Sequence, residues 1–567
     1  MHPVIRHFPI RAEWIEFLLG LLAGAVVLLA GRRNRAGWLA RVGRALRKSA
    51  RRRALWILVF ALLGPCIRLA LLPIAPAPAP AIHDDYVNLL AADTLMHGRL
   101  ANPPHAYPEH FETIYVFQKP TYSAIYPLGT AVFLAAGWKL TGNPWYGMWM
   151  AMVLCCGAVA WMQYRWLPPL AAWAGGLLFS LVFGISSYWM NSYYGGAVPA
   201  MGGALVFGAL PALASRAALP ASRGALKSAA ILAVGWTLVW FTRPYESVIV
   251  GLITGVAILR AVWRNRRGAV LVVIGAAVAI DFAGFCYHNW RVTGDPLLHP
   301  YRLSQKVYGV PSALFWQKEI PEPPGLTPQQ ERVYLWVRSL AHRGHWRWAD
   351  LKKIWALYVG YPLTIPLAVT LFSASRKMRR LGLFLAVCLA WSLLFPEIQP
   401  HYVAPLTGLF VALASWGLLR MTHWRPAGRR WGSALAIGLF AGSALAGLRV
   451  LHPWYIYGSP APLTPRAAIA RQLESAPGTH LVFVHYGPKH SLHDEWVYNR
   501  ADIDHAKIVW ANDLGEDRNQ QLIRYFAGRQ VWVVEPDQVG GAGTRVCRAG
   551  TRSSAGELGS PAICALP

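Results

Sequence analysis

"GRRNRAGWLARVGRALRKSARRR", residues 31–53, carries ten Lys and Arg and no acid, and it separates two apolar runs at about 12–30 and 54–74. Runs of near-spanning length joined by a basic block mark a cytoplasmic loop, because Lys and Arg are retained on that side of a membrane. The N-terminus then lies outside, the second run crosses outward, and "PIAPAPAPAIHDDY" (73–86) emerges on the external face.

Three more basic segments continue the map: "RAVWRNRRG" (260–268), "SRKMRR" (375–380) and "RMTHWRPAGRR" (420–430). Between them the apolar runs count to about twelve crossings. One further run, about 124–140, breaks the parity and is expected to lie along the membrane surface or re-enter it without spanning. The expected fold is an all-α polytopic membrane protein of about twelve spans with a small extracytoplasmic α/β C-terminal domain. Residues 1–53 form an extra first helix and basic loop. Residues 54–452 form the membrane domain, with long external loops at 75–145 and 290–352. Residues 453–567 form the external domain, where "THLVFVHYG" and "RQVWVVEPD" read as buried strands and "DRNQQLIRYFAG" as an amphipathic helix.

The 567 residues are 55% hydrophobic and include 27 tryptophans, which suits a bilayer partner. The net charge of +29 sits in short inter-span blocks, so it is read as positive-inside charge facing anionic lipid, with no nucleic-acid partner. Cys66, Cys155, Cys156, Cys286 and Cys388 lie in apolar runs and read as small buried hydrophobes, whereas Cys547 and Cys564 in the tail could pair outside the cytoplasm.

Four features can build a site. Asp84 and Asp85 follow the outward span. Lys119 lies in "FQKPTYSAIYPLG" (117–129). Arg243 and Glu246 in "WFTRPYES" (240–247) interrupt an apolar stretch, where a charge costs about 2.5–3.5 kcal/mol on insertion scales. Glu397 and His401 lie in "FPEIQPHYVAPLTGL" (395–409). "MNSYYGGAVPAMGGAL" (190–205) has the small residues of close helix packing. "HDEWVYNRADIDHAKIVWAND" in the tail reads as surface and turn chemistry.

The order of these motifs (acid pair, "KP", "TRP", "HY" with a later proline) resembles the GT-C membrane glycosyltransferases over about residues 54–420. The resemblance is to lipid-linked aminoarabinose transferases, protein O-mannosyltransferases and rhizobial lipopolysaccharide sugar transferases. It implies inverting transfer of a sugar from a polyprenyl-phosphate donor to an extracytoplasmic glycan, lipid or protein, in a bacterial-type inner membrane. It implies Asp84 as the catalytic residue, a general base, with Asp85 assisting it or holding a metal, and Lys119 and His401 at the donor phosphate, a part that Arg243 can share on chemical grounds. This chain departs from the family in having Asp-Asp for Asp-Glu, Lys-Pro-Thr for Lys-Pro-Pro, and His-Tyr for Arg-Tyr.

The chemistry stands without the family. A polyprenyl phosphate is a good leaving group, so the reaction needs a base for the acceptor hydroxyl and cations for the departing phosphate. His110, Glu112, Tyr122, Glu397 and Tyr402 are candidate substrate contacts. A Mg²⁺ or Mn²⁺ ion on Asp84 or Asp85 suits oxygen ligands, although nothing in the sequence demands one. Two alternatives remain: a transporter or lipid flippase working through Arg243 and Glu246, and a non-catalytic envelope-assembly protein.

Overall fold

The computed structural model describes residues 10–32, 36–214, 223–265, 268–309, 320–341, 347–395, 398–428, 431–453, 463–487, 490–537 and 545–548. Every apolar run read as a crossing is helical, from Ile10–Arg32 to Trp431–Leu445. Among the described residues, seven helical stretches are long and apolar enough to cross a membrane. The number is eight if Trp348–Tyr358 and Gly360–Ser373, which meet at 92°, form one broken span. Gly360 lies at this break with φ of 61°, a conformation that costs glycine little. The chain is therefore a multi-pass helical protein, but twelve crossings are not shown. Arg223–Trp240 begins with Arg223 and Lys227, Pro244–Asn265 carries Glu246 and Arg260, and Arg376–Ser392 starts on four cations in seventeen residues.

The run that broke the parity forms Gly129–Thr141, thirteen residues that rise only about 20 Å, too short to cross. Large side chains such as Trp263, Ile280, Leu371 and Phe372 are exposed around the bundle, as lipid contact requires. Small residues set the packing inside it. A Cβ on Gly202 would stand 2.6 Å from the Gly235 carbonyl, and one on Gly235 equally close to that of Gly202. The second half of "MNSYYGGAVPAMGGAL", from Ala197, is accordingly helix-packing sequence, whereas Asn191, Ser192 and Tyr194 before it line the cavity described below. Helix Ile10–Arg32 is fastened to the 3₁₀ turn Ala446–Leu451, which follows Trp431–Leu445, by an Arg449–Glu16 pair in which two guanidinium nitrogens donate, at 2.7 and 2.6 Å.

The buried-cysteine expectation holds for Cys155, Cys156 and Cys388; Cys66 is exposed and Cys286 half-buried. Both lie on helices with few buried positions, whose outer faces meet lipid. Cys564 lies outside the described residues.

In the 75–145 segment, helix His83–Met96 is followed by a small antiparallel pair, β1 (Val116–Phe117) and β2 (Ser123–Ala124). The C-terminal unit is a four-stranded sheet in the order β4-β3-β5-β6, from β3 (His480–Val484), β4 (Ile508–Asn512), β5 (Gln530–Glu535) and β6 (Arg545–Arg548). β3 pairs in parallel with β4 and β5, and β6 returns antiparallel on β5. Helix Glu516–Tyr525 lies where the amphipathic pattern put it. "KIVWAND" corrects the surface-and-turn expectation: Ile508–Asn512 is a strand buried at every position. Its apolar run is only four residues long, so flanking polar residues hid it.

This unit is docked on the 75–145 segment. Asp93, fully buried, accepts both Arg500 nitrogens (2.9 and 2.8 Å) and the Ala501 amide (2.7 Å). Arg518 donates to Glu109 at 2.6 Å, and His105 meets Asp504 at 3.0 Å. Removing Arg500 strands a buried carboxylate, although the arginine is half exposed and the cost is discounted for screening to about 1–3 kcal/mol. We expect Arg500→Ala to speed release of the C-terminal unit in limited proteolysis, with the helical bundle intact; an unchanged rate would contradict the docking role.

Candidate functional site

Helix His83–Met96 begins with two acids that face different ways. Adjacent helical residues are turned by about 100°, so one carboxylate cannot follow the other. Asp85 turns inward. Its Oδ2 accepts the amides of Ala81 (2.9 Å) and Ile82 (3.4 Å), and its Oδ1 accepts the amide of Tyr193 (2.8 Å). Burial pushes its carboxyl up to about 6 against those three amides. Asp85 thereby ties the proline ladder to the segment after Ser186 and fixes the helix start. Asp84 turns outward, its side chain 20% exposed. Tyr126 donates its phenol to Asp84 Oδ1, and burial beside that carboxylate holds the phenol well above its ordinary range, so the proton stays on the tyrosine. His83 Nε2 stands 3.6 Å from the same oxygen. Among the described residues nothing donates to Oδ2.

Asp84 lines a cavity of about 1540 Å³, more than the roughly 300–1000 Å³ typical of small-ligand sites. Arg243 lines it too. The "TRP" interruption is a true break: helix Arg223–Trp240 ends and Pro244 opens the next helix, where its missing N–H costs nothing. The Gly129 amide donates to Phe241 at 2.7 Å, and a side chain on Gly129 would collide with Thr242. The short helix is thus pinned to the break. The Arg243 guanidinium lies 4.5 Å over the Tyr402 ring, and the charges of Glu246 and Asp84 both act on it. His401 Nδ1 meets the Tyr188 hydroxyl at 3.1 Å. One wall of the cavity is apolar, built from Leu178, Phe179, Val182, Phe183, Leu363 and Val411.

The candidates read from the sequence divide clearly. Asp84, Asp85, Glu112, Arg243, Glu246, His401 and Tyr402 line this one cavity. Lys119 is exposed and outside its lining. His110 and Tyr122 are buried against the C-terminal unit. Nδ1 of His110 meets the Asn512 carbonyl at 3.0 Å, and Tyr122 donates to the Asn499 carbonyl at 3.2 Å. Glu397 lies outside the described residues. The tyrosine of "FQKPTYSAIYPLG" that meets the acid is Tyr126; no local signal distinguishes it from Tyr122. Tyr115 also escaped notice. Its φ of 63° is an uncommon conformation for a bulky residue, and such outliers gather at functional sites. Arg68 lines the cavity but is spent, donating to Asn191 and to the carbonyls of Ala75 and Pro76.

Burial lifts the Glu112 carboxyl to about 7, opposed by hydrogen bonds from Gln330 and Tyr308 and by the charge of Lys119. Its folded value exceeds the unfolded one, so its contribution to stability is present below about 4.5 and is lost as pH rises towards 7. Thermal unfolding between pH 5 and 8 should show wild type losing on the order of 1–3 kcal/mol relative to Glu112→Gln. Parallel curves would contradict that burial.

No family model matches the chain, and no curated protein matches it in sequence. Solved structures do match. The oligosaccharyltransferase of Archaeoglobus fulgidus in complex with Zn and sulfate is 14% identical, with a TM-score of 0.49 over 85% of this chain and 68% of that one. The same archaeal enzyme, AglB, with an inhibitory peptide and a dolichol-phosphate is 12% identical (TM-score 0.45; 85% and 69%). ArnT from Cupriavidus metallidurans bound to undecaprenyl phosphate is 12% identical (TM-score 0.48; 85% and 93%). These matches extend over about 85% of this chain. At such identities and with TM-scores below 0.5, these matches carry no inference about substrate or residues, which rests on the cavity itself.

Proposed function

We propose that the protein is a membrane glycosyltransferase that moves a sugar from a polyprenyl-phosphate donor to an extracytoplasmic acceptor. One observation carries this reading: a carboxylate with an open oxygen and a guanidinium line a single large cavity that also has an extended apolar wall. The apolar part suits the prenyl chain, and the polar part suits the phosphate and sugar. In this reading the twelve helical runs are twelve crossings, with the cavity mouth and the C-terminal unit outside. The donor class is the one implied by the motif resemblance.

Asp84 Oδ2 takes the proton of the acceptor hydroxyl as its oxygen attacks the anomeric carbon. The bond from that carbon to the phosphate oxygen breaks, its electron pair stays on the phosphate, and the anomeric centre inverts. Arg243 receives the charge that develops there, and such preorganised donors are worth most in a water-poor site. Tyr126 holds the Asp84 carboxylate aimed. Asp85, committed to three backbone amides, is a positioning residue. Glu112, His401 and Tyr402 are assigned to substrate contact. His110 and Tyr122 are assigned to docking, and Lys119 is left without a part.

Among the described residues no group of three or more His, Cys, Asp or Glu gathers to hold a metal ion. Asp85 has its oxygens on amides and Asp84 has Tyr126 on one oxygen, so this donor set fits a resident cation poorly, and no step is routed through one. The reading is tested in proteoliposomes with a panel of polyprenyl-phosphate pentoses and hexoses and total envelope extract as acceptor. Release of free polyprenyl phosphate with transfer of label is expected from at least one donor. No release from any donor, with measurable passage of lipid across the bilayer, would favour the flippase alternative.

A further inference from the structure

We propose that the C-terminal unit completes the catalytic chamber, with His493 acting as a positioning residue that sets the His83 imidazole against Asp84. This inference rests on the sugar-transfer reading. His493 is carried by the short 3₁₀ turn Leu492–Asp494, and it lines the same cavity as Asp84. Its ring stacks on His83 with centroids 5.3 Å apart and planes at 28°. Trp336 meets it edge-on at 5.2 Å. Tyr115, the residue at positive φ, packs against His83 at 5.2 Å, so this imidazole is gripped by one ring from the loop and one from the C-terminal unit. Its Nε2 is the atom that stands 3.6 Å from Asp84 Oδ1.

The contact belongs to a series. His83 meets His493, Tyr86 stacks on Tyr498 at 4.9 Å, and Asp93 binds Arg500. Residues 493–500 therefore run along the helix that carries the proposed base. At about 100° per residue, positions 83, 86 and 93 fall within roughly 80° of each other, on one helix face. The C-terminal unit thus grips one side of the helix while the carboxylate works from another. Among the described residues, His83 touches both His493 and Asp84 directly. Without the His493 ring, His83 loses one of the rings packed against it, and the side of Asp84 opposite the substrate is left mobile.

The test uses the full-length protein in proteoliposomes, the donor panel above, and polyprenyl phosphate alone as the binding probe. His493→Ala should lower kcat by about 10- to 100-fold, the scale set by small misplacements near reacting groups. The Kd for polyprenyl phosphate should stay within about twofold, because Arg243 is untouched. His493→Phe, which keeps a ring to stack, should recover most of the lost turnover. Trypsin resistance of residues 465–548 reports that the C-terminal unit remains docked. If His493→Ala loses that resistance, His493→Gln replaces it with the same expectation. Wild-type kcat in the alanine variant, or a phenylalanine variant as slow as alanine, overturns the positioning role while leaving the Asp84 assignment standing. A wild type that releases nothing from any donor overturns the sugar-transfer reading, and this inference falls with it.

Discussion

Asp84→Asn is expected to lower turnover by about 10²–10⁴-fold, the usual contribution of a positioned base, while polyprenyl phosphate still binds. Asparagine keeps the shape and can still meet Tyr126, but it cannot take a proton. The effect should therefore fall on kcat. Asp85→Asn provides the contrast. It removes the charge that three amides hold and should act through stability and loop order more than through chemistry. An Asp84→Asn protein that folds, binds and turns over normally would remove the base from the account.

Arg243→Ala should be nearly as damaging, by a different route. A hydrogen bond to a charged group contributes about 1.5–3 kcal/mol, so loss of the guanidinium should raise the Kd for polyprenyl phosphate by roughly 10- to 100-fold. Turnover should fall further, because the same group stabilises the charge that grows on the leaving phosphate. Arg243→Lys should recover binding only in part, since an ammonium lacks the planar fork that spans two phosphate oxygens and that lies over the Tyr402 ring. Equal behaviour of the lysine variant and wild type would reduce Arg243 to a point charge.

Residues were legible in the sequence where a local rule is expensive to break. Arg243 stands out because a charge in an apolar run needs a partner, and the helix break at Pro244 is written in the proline itself. Asp84 and Asp85 stand out because acids are scarce in this chain. Which of the two is open was not legible: Asp85 is occupied by an amide from Tyr193, 108 positions away, and no local pattern carries that. Lys119 shows the converse. Its motif placed it at the phosphate, yet the loop leaves it exposed beyond the lining. Helices were legible from apolar runs, but crossings less so, because length and charge at helix ends decide whether a helix spans. The β4 strand was hidden by the polar residues around its short apolar run, and the His83–His493 contact depends on the C-terminal unit folding back along helix His83–Met96, which no spacing announces.

The most direct test is a density map of the protein in nanodiscs with polyprenyl phosphate bound. The account predicts the phosphate within about 3–4 Å of the Arg243 guanidinium, the spacing of a charge-assisted hydrogen bond, with Asp84 facing the vacant sugar position and the prenyl chain along Phe179 and Phe183. A phosphate bound elsewhere, with Arg243 held only by Glu246 and Tyr402, would contradict it.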